Sequence, residues 1–218
     1  CSENKIDNDK ISIVGVSKKK SLEDILGLYR LGLRDFGENY AQELNEKSLA
    51  LDSKKIRWHF MGPIQTNKIG LIVKNSYLVH SVDREKVVRK IKESLEETSK
   101  KQFFVQVNIG GESQKSGVLV SELNDFLGWC CNDINLKVNG LMCIPPLEKE
   151  PSYYFNLLRE EQEKLKLMEE KRIILFLFQT INIIFSFSKR DFVSVFSIKL
   201  FEFSNTSLSS YEEISFLF

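Results

Sequence analysis

Three short stretches decide the fold, and each joins an apolar run to polar side chains: ISIVGVSKKK at residues 11–20, FGENY at residues 36–40 and WHFMG at residues 58–62. Short runs of alternating or continuous apolar residues are typical of β-strands. Polar groups that follow several parallel strands collect at one edge of the sheet. The sequence therefore predicts that the chemistry of this protein lies where its strands end.

Between residues 11 and 145 the hydrophobic period alternates between that of a strand and that of a helix. Ser21, followed by Asp24, is typical of a helix N-terminus. Parallel strands joined by helices close most simply into a barrel, so the pattern predicts a (β/α)8 TIM-type barrel with its functional groups at the C-terminal ends of the strands. Strand-like segments occur at residues 11–16, 34–36, 57–61, 77–82, 103–109 and 138–144.

The C-terminal part of the chain departs from this pattern. From residue 173 it is rich in Ile, Phe and Ser, and no glycine follows Gly140. Two further (β/α) units would need glycine at tight turns and at close approaches to a ligand. We therefore expect residues 1–172 to form a barrel that is incomplete at its C-terminal end, and residues 173–218 to form an atypical tail. Open strand edges would make such a product poorly soluble or unstable.

A membrane helix in the tail is a weaker alternative, because polar residues at 179–182 interrupt a short apolar run. The 218 residues are 42% hydrophobic, enough for one domain with a sizeable core. A formal net charge of +1 gives no general attraction for nucleic acid or for an anionic membrane. We therefore expect a small-molecule partner, and the sequence identifies no partner protein.

Cysteine usage favours a reducing, cytoplasmic setting. The four cysteines include an adjacent pair and no C-x-x-C, so the sequence predicts neither a disulfide framework nor a metal site. The first residue is Cys1 rather than Met, which indicates a fragment or a processed form. Lipid attachment at Cys1 after removal of a signal peptide is an open alternative.

The chemical interpretation begins with Lys18. An aldehyde is captured by a neutral amine, so a lysine that forms a Schiff base needs its pKa lowered by burial or by nearby cations. Lys18 lies at the end of an apolar strand and beside Lys19 and Lys20. On these residues alone, a solvated basic loop is the more common interpretation, and a site for an aldehyde cofactor is the alternative.

The motifs resemble those of the pyridoxal 5'-phosphate homeostasis protein family, whose barrel is like the N-terminal domain of alanine racemases. VSKKK at residues 16–20 is similar to the family's V-S-K-T-K, and FGENYAQE at residues 36–43 to its F-G-E-N-Y-x-Q-E. WHFMGPIQTNK at residues 58–68 is similar to W-H-F-I-G-x-L-Q-x-N-K. Further matches continue in the expected order as far as about residue 145.

The resemblance implies a protein that holds pyridoxal 5'-phosphate as a Schiff base on Lys18, serves the homeostasis of this cofactor and turns over no substrate. Asn39 is the second candidate for cofactor binding, because an amide at a strand end can donate and accept hydrogen bonds. His59 is a third candidate for contacting the cofactor or its water. A histidine between Trp58 and Phe60 is, however, more often a satisfied core residue.

Two segments that hold the phosphate in the resembling proteins, S-x-G-M-S and R-x-G-T, do not occur in this sequence. Their loss would weaken cofactor affinity by about a hundredfold or more. Two alternatives therefore stay open. One is a pyridoxal-phosphate-dependent amino-acid racemase, which shares the barrel but adds a second domain with an opposing base, for which this chain is too short. The other is a degraded reading frame, with an out-of-frame tail and no binding function.

Overall fold

Six (β/α) units follow one another along the first three quarters of the chain. The computed structural model describes residues 11–96 and 98–164 and, beyond them, the backbone of four strands within residues 172–216. The strands of the six units are β1 (Ile11–Val16), β2 (Asp35–Glu38), β3 (Arg57–Phe60), β4 (Leu78–Val82), β5 (Gln102–Asn108), with the short β6 (Val118–Leu119) after it, and β7 (Gly140–Cys143). The helices are α1 (Leu22–Arg30), α2 (Ala41–Ala50), α3 (Ile69–Asn75), α4 (Glu85–Ser94), α5 (Leu123–Gly128) and α6 (Pro151–Lys164).

The sequence patterns account for these elements. All six predicted strand segments are confirmed, with ends that differ by no more than two residues. The predicted N-terminus of α1 is confirmed as a capping box: Ser21 Oγ accepts from the Asp24 N–H at 3.1 Å, and the Ser21 N–H donates to Asp24 Oδ2 at 3.0 Å. Such a cap satisfies two orphan N–H groups and stabilises a helix by about 1 kcal/mol.

The strands form a ring. Each strand from β1 to β5 pairs in parallel with the next one, and β7 pairs in parallel with β5. Strand β8 (Arg172–Phe176) pairs in parallel with the other side of β7. Strand β9 (Ile183–Ser188) runs antiparallel to both β8 and β1, and β4 also pairs with β5. With β6 branching from β5, the nine-stranded sheet therefore contains a closed ring of eight strands. A separate antiparallel pair consists of β10 (Phe196–Leu200) and β11 (Glu212–Phe216).

The expected incompleteness of the (β/α)8 pattern is confirmed, because a pair of strands stands where a complete barrel would have its last two (β/α) units. The expectation of open strand edges is wrong, since each strand of the ring has two neighbours. An antiparallel strand satisfies the exposed backbone groups of an edge as well as a parallel one does, and it needs no crossover helix. The boundary at residues 172 and 173 stays a prediction.

The apolar run considered for a membrane segment contains strands β8 and β9. Within the part of the chain that the structure describes, no helix is long and apolar enough to cross a membrane. Cys1 and the prediction made for it lie outside the described residues.

Two hydrophobic clusters divide the strand residues by face. The larger cluster lies between the strands and the helices and includes Phe36 of β2 with Leu44 of α2. The smaller cluster fills the ring: Val14, Met61, Leu78, Phe104 and Met142. Gly37 faces this inner cluster, because a Cβ atom there would lie 2.8 Å from the Met61 sulfur. Along β2, residues 35 and 37 therefore face inward, and residues 36 and 38 face the helices.

Candidate functional site

Polar residues follow the C-terminal ends of neighbouring strands. Lys18 comes two residues after β1, Asn39 directly follows β2, and Asp83 directly follows β4. Because these strands are parallel, their C-terminal ends lie at the same edge of the ring. The predicted collection of polar groups at one end of the barrel is confirmed.

Lys18 occupies the corner of a tight turn. The Lys20 N–H donates to the Ser17 carbonyl oxygen at 3.0 Å, which closes a four-residue turn with Lys18 and Lys19 at its centre. Lys19 has a φ of 60°, as the third residue of a type II turn requires. The side chain of Lys18 is half-buried, whereas Lys19 and Lys20 are exposed. The turn thus separates Lys18 from its two basic neighbours.

Side chains of α2 and of the ends of β1 and β2 form hydrogen bonds around this turn. We call these residues the turn network: Ser17, Glu38, Glu43 and Lys47. Ser17 Oγ donates to Glu38 Oε1 at 2.6 Å. Lys47 Nζ donates to Glu38 Oε1 at 2.8 Å, to Glu43 Oε1 at 2.6 Å and to the Ser17 carbonyl oxygen at 2.6 Å. The Lys19 N–H donates to Glu43 Oε1 at 2.6 Å. Ser17 therefore faces α2, and Lys18 lies in the turn at the edge of the ring where the strands end.

The turn network contains buried charged groups, and not all of their polar atoms have hydrogen-bond partners among the described residues. The side chain of Glu38 is fully buried and that of Lys47 is 8% exposed. Burial raises the pKa of Glu38 above its ordinary value, although the hydrogen bonds from Lys47 and Ser17 act in the opposite direction. Glu38 Oε2 receives no hydrogen bond from the residues that the structure describes. This carboxyl group is therefore held by one oxygen only.

Asn39 lies against the backbone of the next strand end. A Cβ atom on Gly62 would come within 2.0 Å of the Asn39 carbonyl oxygen, so only glycine permits this approach. The Gly62 carbonyl oxygen in turn accepts from Ser81 Oγ at 2.6 Å. The segments that follow β2 and β3 are therefore packed directly on each other, with Ser81 of β4 attached to them. The role of Asn39 in cofactor binding stays a prediction.

A second group of ionisable residues lies inside the ring, and we call Asp35, Arg57, His59 and His80 the core network. His59 Nε2 lies 2.9 Å from Asp35 Oδ1, and His59 Nδ1 lies 2.8 Å from His80 Nε2. Arg57 Nε donates to Asp35 Oδ1 at 2.7 Å, and its Nη2 donates to Asp35 Oδ2. Asp35 and Arg57 begin their strands, so the network starts at the end of the barrel opposite to Lys18.

The protonation states of the core network follow from its contacts. Burial alone would raise the pKa of Asp35, but the hydrogen bonds from His59 and Arg57 outweigh it and lower that pKa. Burial, reinforced by His59, holds the pKa of His80 well below its ordinary value. An ionised Asp35 assigns a proton to His59 Nε2, which donates to Asp35 Oδ1.

Both ring nitrogens of His59 therefore have protein partners in the core network, and the side chain is 5% exposed. His59 lies on the inner face of β3, two residues before Met61. This arrangement matches the alternative interpretation of His59 as a satisfied core residue. The prediction that His59 contacts a cofactor is untested by this geometry and stays a prediction.

At the end of β5, the side chain of Asn108 binds the backbone of the loop that follows. Its side-chain Nδ2 donates to the Glu112 carbonyl oxygen at 2.8 Å, and its Oδ1 accepts from the Glu112 N–H at 3.1 Å. Gly117, with a φ of +127°, packs against the Asn108 backbone, where a Cβ atom would lie 2.6 Å from the amide nitrogen. In the described parts of the chain, no cluster of three or more His, Cys, Asp and Glu residues is suited to a metal ion.

The sequence interpretation did not identify Lys47, Glu43, Asp35 or His80 as important. Lys47 lies four residues after Glu43 on α2, which is a spacing that brings oppositely charged side chains together. That spacing was available in the sequence. The contacts of Asp35 and His80 with His59 join three different strands, and no local pattern announces them.

Comparison with known proteins places the chain in a family. Residues 10–173 match the family described as alanine racemase, N-terminal domain. The fold and the lysine turn thus define a barrel of the alanine racemase type. The pyridoxal phosphate homeostasis protein of Aquifex aeolicus is 35% identical over 158 residues, which cover 71% of this chain and 69% of that protein. The chain belongs to the pyridoxal phosphate homeostasis protein family.

The homologous protein of Vibrio alginolyticus is 37% identical over 142 residues, which cover 63% of this chain and 61% of that protein. Among solved structures, PipY of Synechococcus elongatus without pyridoxal phosphate has a TM-score of 0.66 and 25% identity, and covers 72% of this chain and 79% of its own. An alanine racemase of Corynebacterium glutamicum has a TM-score of 0.54 at 13% identity over 73% of this chain and 47% of its own, which shows the fold alone.

Proposed function

We propose that this protein binds pyridoxal 5'-phosphate through Lys18 and serves the homeostasis of that cofactor. The observation that supports the proposal is the tight turn after β1, which leaves Lys18 half-buried at the edge where the strands end, whereas Lys19 and Lys20 are exposed. The names of the relatives support it, and a structure of PipY has pyridoxal phosphate bound.

The residues around Lys18 fit an aldehyde with a flat ring. The neutral amine of Lys18 would attack the aldehyde carbon, a C=N bond would replace the C=O bond, and one water would leave. Inside the ring, Met61 and Met142 offer adaptable apolar side chains that pack well on aromatic rings. Asn39 at the same edge would supply the hydrogen bonds to a ring oxygen. We assign the ring contacts to these residues as part of the proposal.

The phosphate end of the site is the weaker part of the fit. The sequence contains neither S-x-G-M-S nor R-x-G-T, and glycine is absent after Gly140. Backbone N–H groups approach a phosphate most closely where glycine leaves room. We therefore expect affinity about a hundredfold below that of a site with a complete phosphate cradle.

We favour a carrier without substrate turnover over a racemase. The support is sequence similarity: the homeostasis proteins of Aquifex aeolicus and Vibrio alginolyticus are 35% and 37% identical, whereas the alanine racemase of Corynebacterium glutamicum is 13% identical. We also propose a cytoplasmic location. The free thiols of Cys130, Cys131 and Cys143 support it, because free thiols persist in reducing compartments.

The proposal is tested by titrating the purified protein with pyridoxal phosphate and following its absorbance. The wild-type protein should develop a new band at the edge of the visible range, and borohydride followed by peptide mass mapping should find the adduct on Lys18. Lys18→Ala should abolish the band. Lys20→Ala is the matched control, because Lys20 is an exposed lysine of the same turn, and it should retain the band.

Two results would contradict the proposal. One is the absence of any band with a protein that is folded by circular dichroism. The other is an adduct spread evenly over exposed lysines, with Lys18→Ala and Lys20→Ala losing the same small share. Either result would leave the barrel as a fold that has lost its binding function.

A further inference from the structure

One helix holds the backbone on both sides of Lys18. On the N-terminal side, the Ser17 carbonyl oxygen accepts from Lys47 Nζ at 2.6 Å. On the C-terminal side, the Lys19 N–H donates to Glu43 Oε1 at 2.6 Å. Lys47 Nζ also donates to Glu43 Oε1, at 2.6 Å, and both side chains belong to α2. A single ion pair on α2 therefore spans the turn that carries Lys18.

Glu38 attaches the same ion pair to the barrel. It is fully buried on β2, accepts from Lys47 Nζ at 2.8 Å and accepts from Ser17 Oγ at 2.6 Å. Strands β1 and β2 and helix α2 thus meet at one carboxylate oxygen. Any rotation of the turn away from the barrel would break the bond from Ser17, and it would leave Glu38 buried with one donor fewer.

The turn itself contains a conformation that needs support. Lys19 has a φ of 60°, which residues other than glycine rarely adopt. Such conformations persist where surrounding contacts over-determine them, and they occur most often at binding and catalytic sites. The bond from the Lys19 N–H to Glu43 is a contact of this kind, because it fixes the peptide that joins Lys18 to Lys19.

We propose that Lys47, Glu43 and Glu38 are positioning residues that select Lys18 as the amine that captures the cofactor. The inference rests on the proposed function, and it adds how this chain distinguishes Lys18 from Lys20. By holding Ser17 towards α2 and the Lys19 N–H on Glu43, the turn network keeps Lys18 half-buried and Lys20 exposed. These residues act through the backbone and exchange no proton with the cofactor.

Glu43 is the position at which this inference is best tested. Its side chain is 22% exposed, and its replacement leaves the buried pair of Lys47 and Glu38 intact. Glu43→Ala removes the acceptor for the Lys19 N–H, whereas Glu43→Gln retains an oxygen that can accept it. Glu46→Ala is the matched control, because Glu46 is an exposed glutamate on the same helix.

The first measurement needs no cofactor: amide hydrogen exchange at Lys19, followed by nuclear magnetic resonance. We expect the Lys19 amide of Glu43→Ala to exchange about tenfold faster than that of the wild type, because local opening governs protection. Glu43→Gln and Glu46→Ala should exchange as the wild type does. Melting temperatures of all three variants should confirm that the fold is retained.

The second measurement is the distribution of the borohydride-trapped adduct of pyridoxal phosphate between Lys18 and Lys20. The wild type, Glu43→Gln and Glu46→Ala should carry the adduct on Lys18. In Glu43→Ala we expect the share on Lys20 to rise about fivefold and the affinity to fall by a similar factor, because misplacement of a reacting group by about 1 Å has effects of that size or greater.

The outcomes distinguish the proposed binding of the cofactor on Lys18 from the positioning role of the turn network. A wild-type protein without adduct on Lys18 would overturn the proposed function, and this inference with it. A wild-type adduct on Lys18 that keeps the same share in Glu43→Ala would overturn the positioning role alone, as would an unchanged exchange rate at Lys19. Loss of selection in Glu43→Gln equal to that in Glu43→Ala would also overturn it, because the acceptor oxygen would then not be the reason.

Discussion

Strand β2 carries two buried carboxyl groups that face opposite sides of the barrel wall. Asp35 faces inward at the start of the strand, where Arg57 and His59 donate to it and lower its pKa. Glu38 faces α2 at the end of the strand, where burial raises its pKa and one of its two oxygens lacks a donor within the described chain. Both oxygens of the Asp35 carboxylate, far from Lys18, have hydrogen-bond partners, whereas only one oxygen of the Glu38 carboxylate, near Lys18, has partners among the described residues.

This difference indicates different roles for the two networks. A carboxylate that receives several hydrogen bonds stabilises the folded chain, whereas incompletely satisfied buried groups concentrate at functional sites. We therefore assign the core network to stability alone, and the turn network to the placement of Lys18 as well as to stability. The predictions that follow test this division, beginning with the largest expected effect.

Breaking the buried pair of the turn network should have the largest effect on stability. Lys47→Met leaves Glu38 in the interior without its cation, and we expect the free energy of unfolding to fall by about 3 to 5 kcal/mol. The double variant Lys47→Met with Glu38→Gln removes both charges and should recover more than half of that loss. Urea unfolding followed by tryptophan fluorescence measures both values. A loss below about 1 kcal/mol in the single variant would show that the pair is solvated.

The core network should affect stability without affecting the choice of lysine. Asp35→Ala removes the acceptor of His59 and Arg57, and we expect the free energy of unfolding to fall by about 2 to 3 kcal/mol. Arg57→Met is the control: its side chain is 51% exposed, so we expect about 0 to 1 kcal/mol. In folded Asp35→Ala, the trapped adduct should stay on Lys18. Transfer of the adduct to Lys20 would contradict the division between the networks.

The smallest expected effect concerns pH. The pKa of His80 is far below its ordinary value in the folded protein. The imidazole of His80 therefore binds a proton more readily in the unfolded chain than in the folded chain. As pH falls below about 6.5, the wild type should therefore lose stability at up to roughly 1.4 kcal/mol per pH unit from this group. The contribution is fully present above that pH and is lost towards the pKa of folded His80.

His80→Gln should remove this part of the slope. The comparison is made as the difference between variant and wild type at each pH from 7 to about 5, because Glu38, whose raised pKa acts with the opposite sign, cancels in that difference. Urea midpoints at each pH provide the values. Parallel plots of the urea midpoint against pH for the wild type and His80→Gln would contradict this prediction. They would mean that His80 has the same protonation in the folded and unfolded states throughout this pH range.

Local patterns were sufficient for the six (β/α) units, and the reason is physical. Strand β1 is a mostly apolar run, and α1 begins at a serine cap, so the period of the sequence and the geometry of the chain agree there. The turn after β1 was also visible, since three lysines cannot continue a buried strand. Lys18 and Asn39 were therefore placed at the correct edge of the barrel.

The closure of the ring and the two networks were not predicted. The expectation of open edges assumed that only a (β/α) unit can complete such a barrel, and the pairing of β9 with β1 removes that assumption. Hydrophobic periodicity counts every lysine as polar, whatever it contacts, so it does not distinguish Lys47 from an exposed lysine. The link from Asp35 through His59 to His80 depends on strand register, which a local pattern does not contain.

The closing strand determines when, during synthesis, the site can take shape. Strand β9, the partner of β1, begins at Ile183, so the 166 residues between Val16 and Ile183 must be made before the two strands can pair. Pairing between segments so distant in sequence is slow, and it exposes unpaired strands in the interval. The turn that carries Lys18 is thus synthesised long before it gains its complete surroundings, and a nascent chain should require shielding throughout that delay.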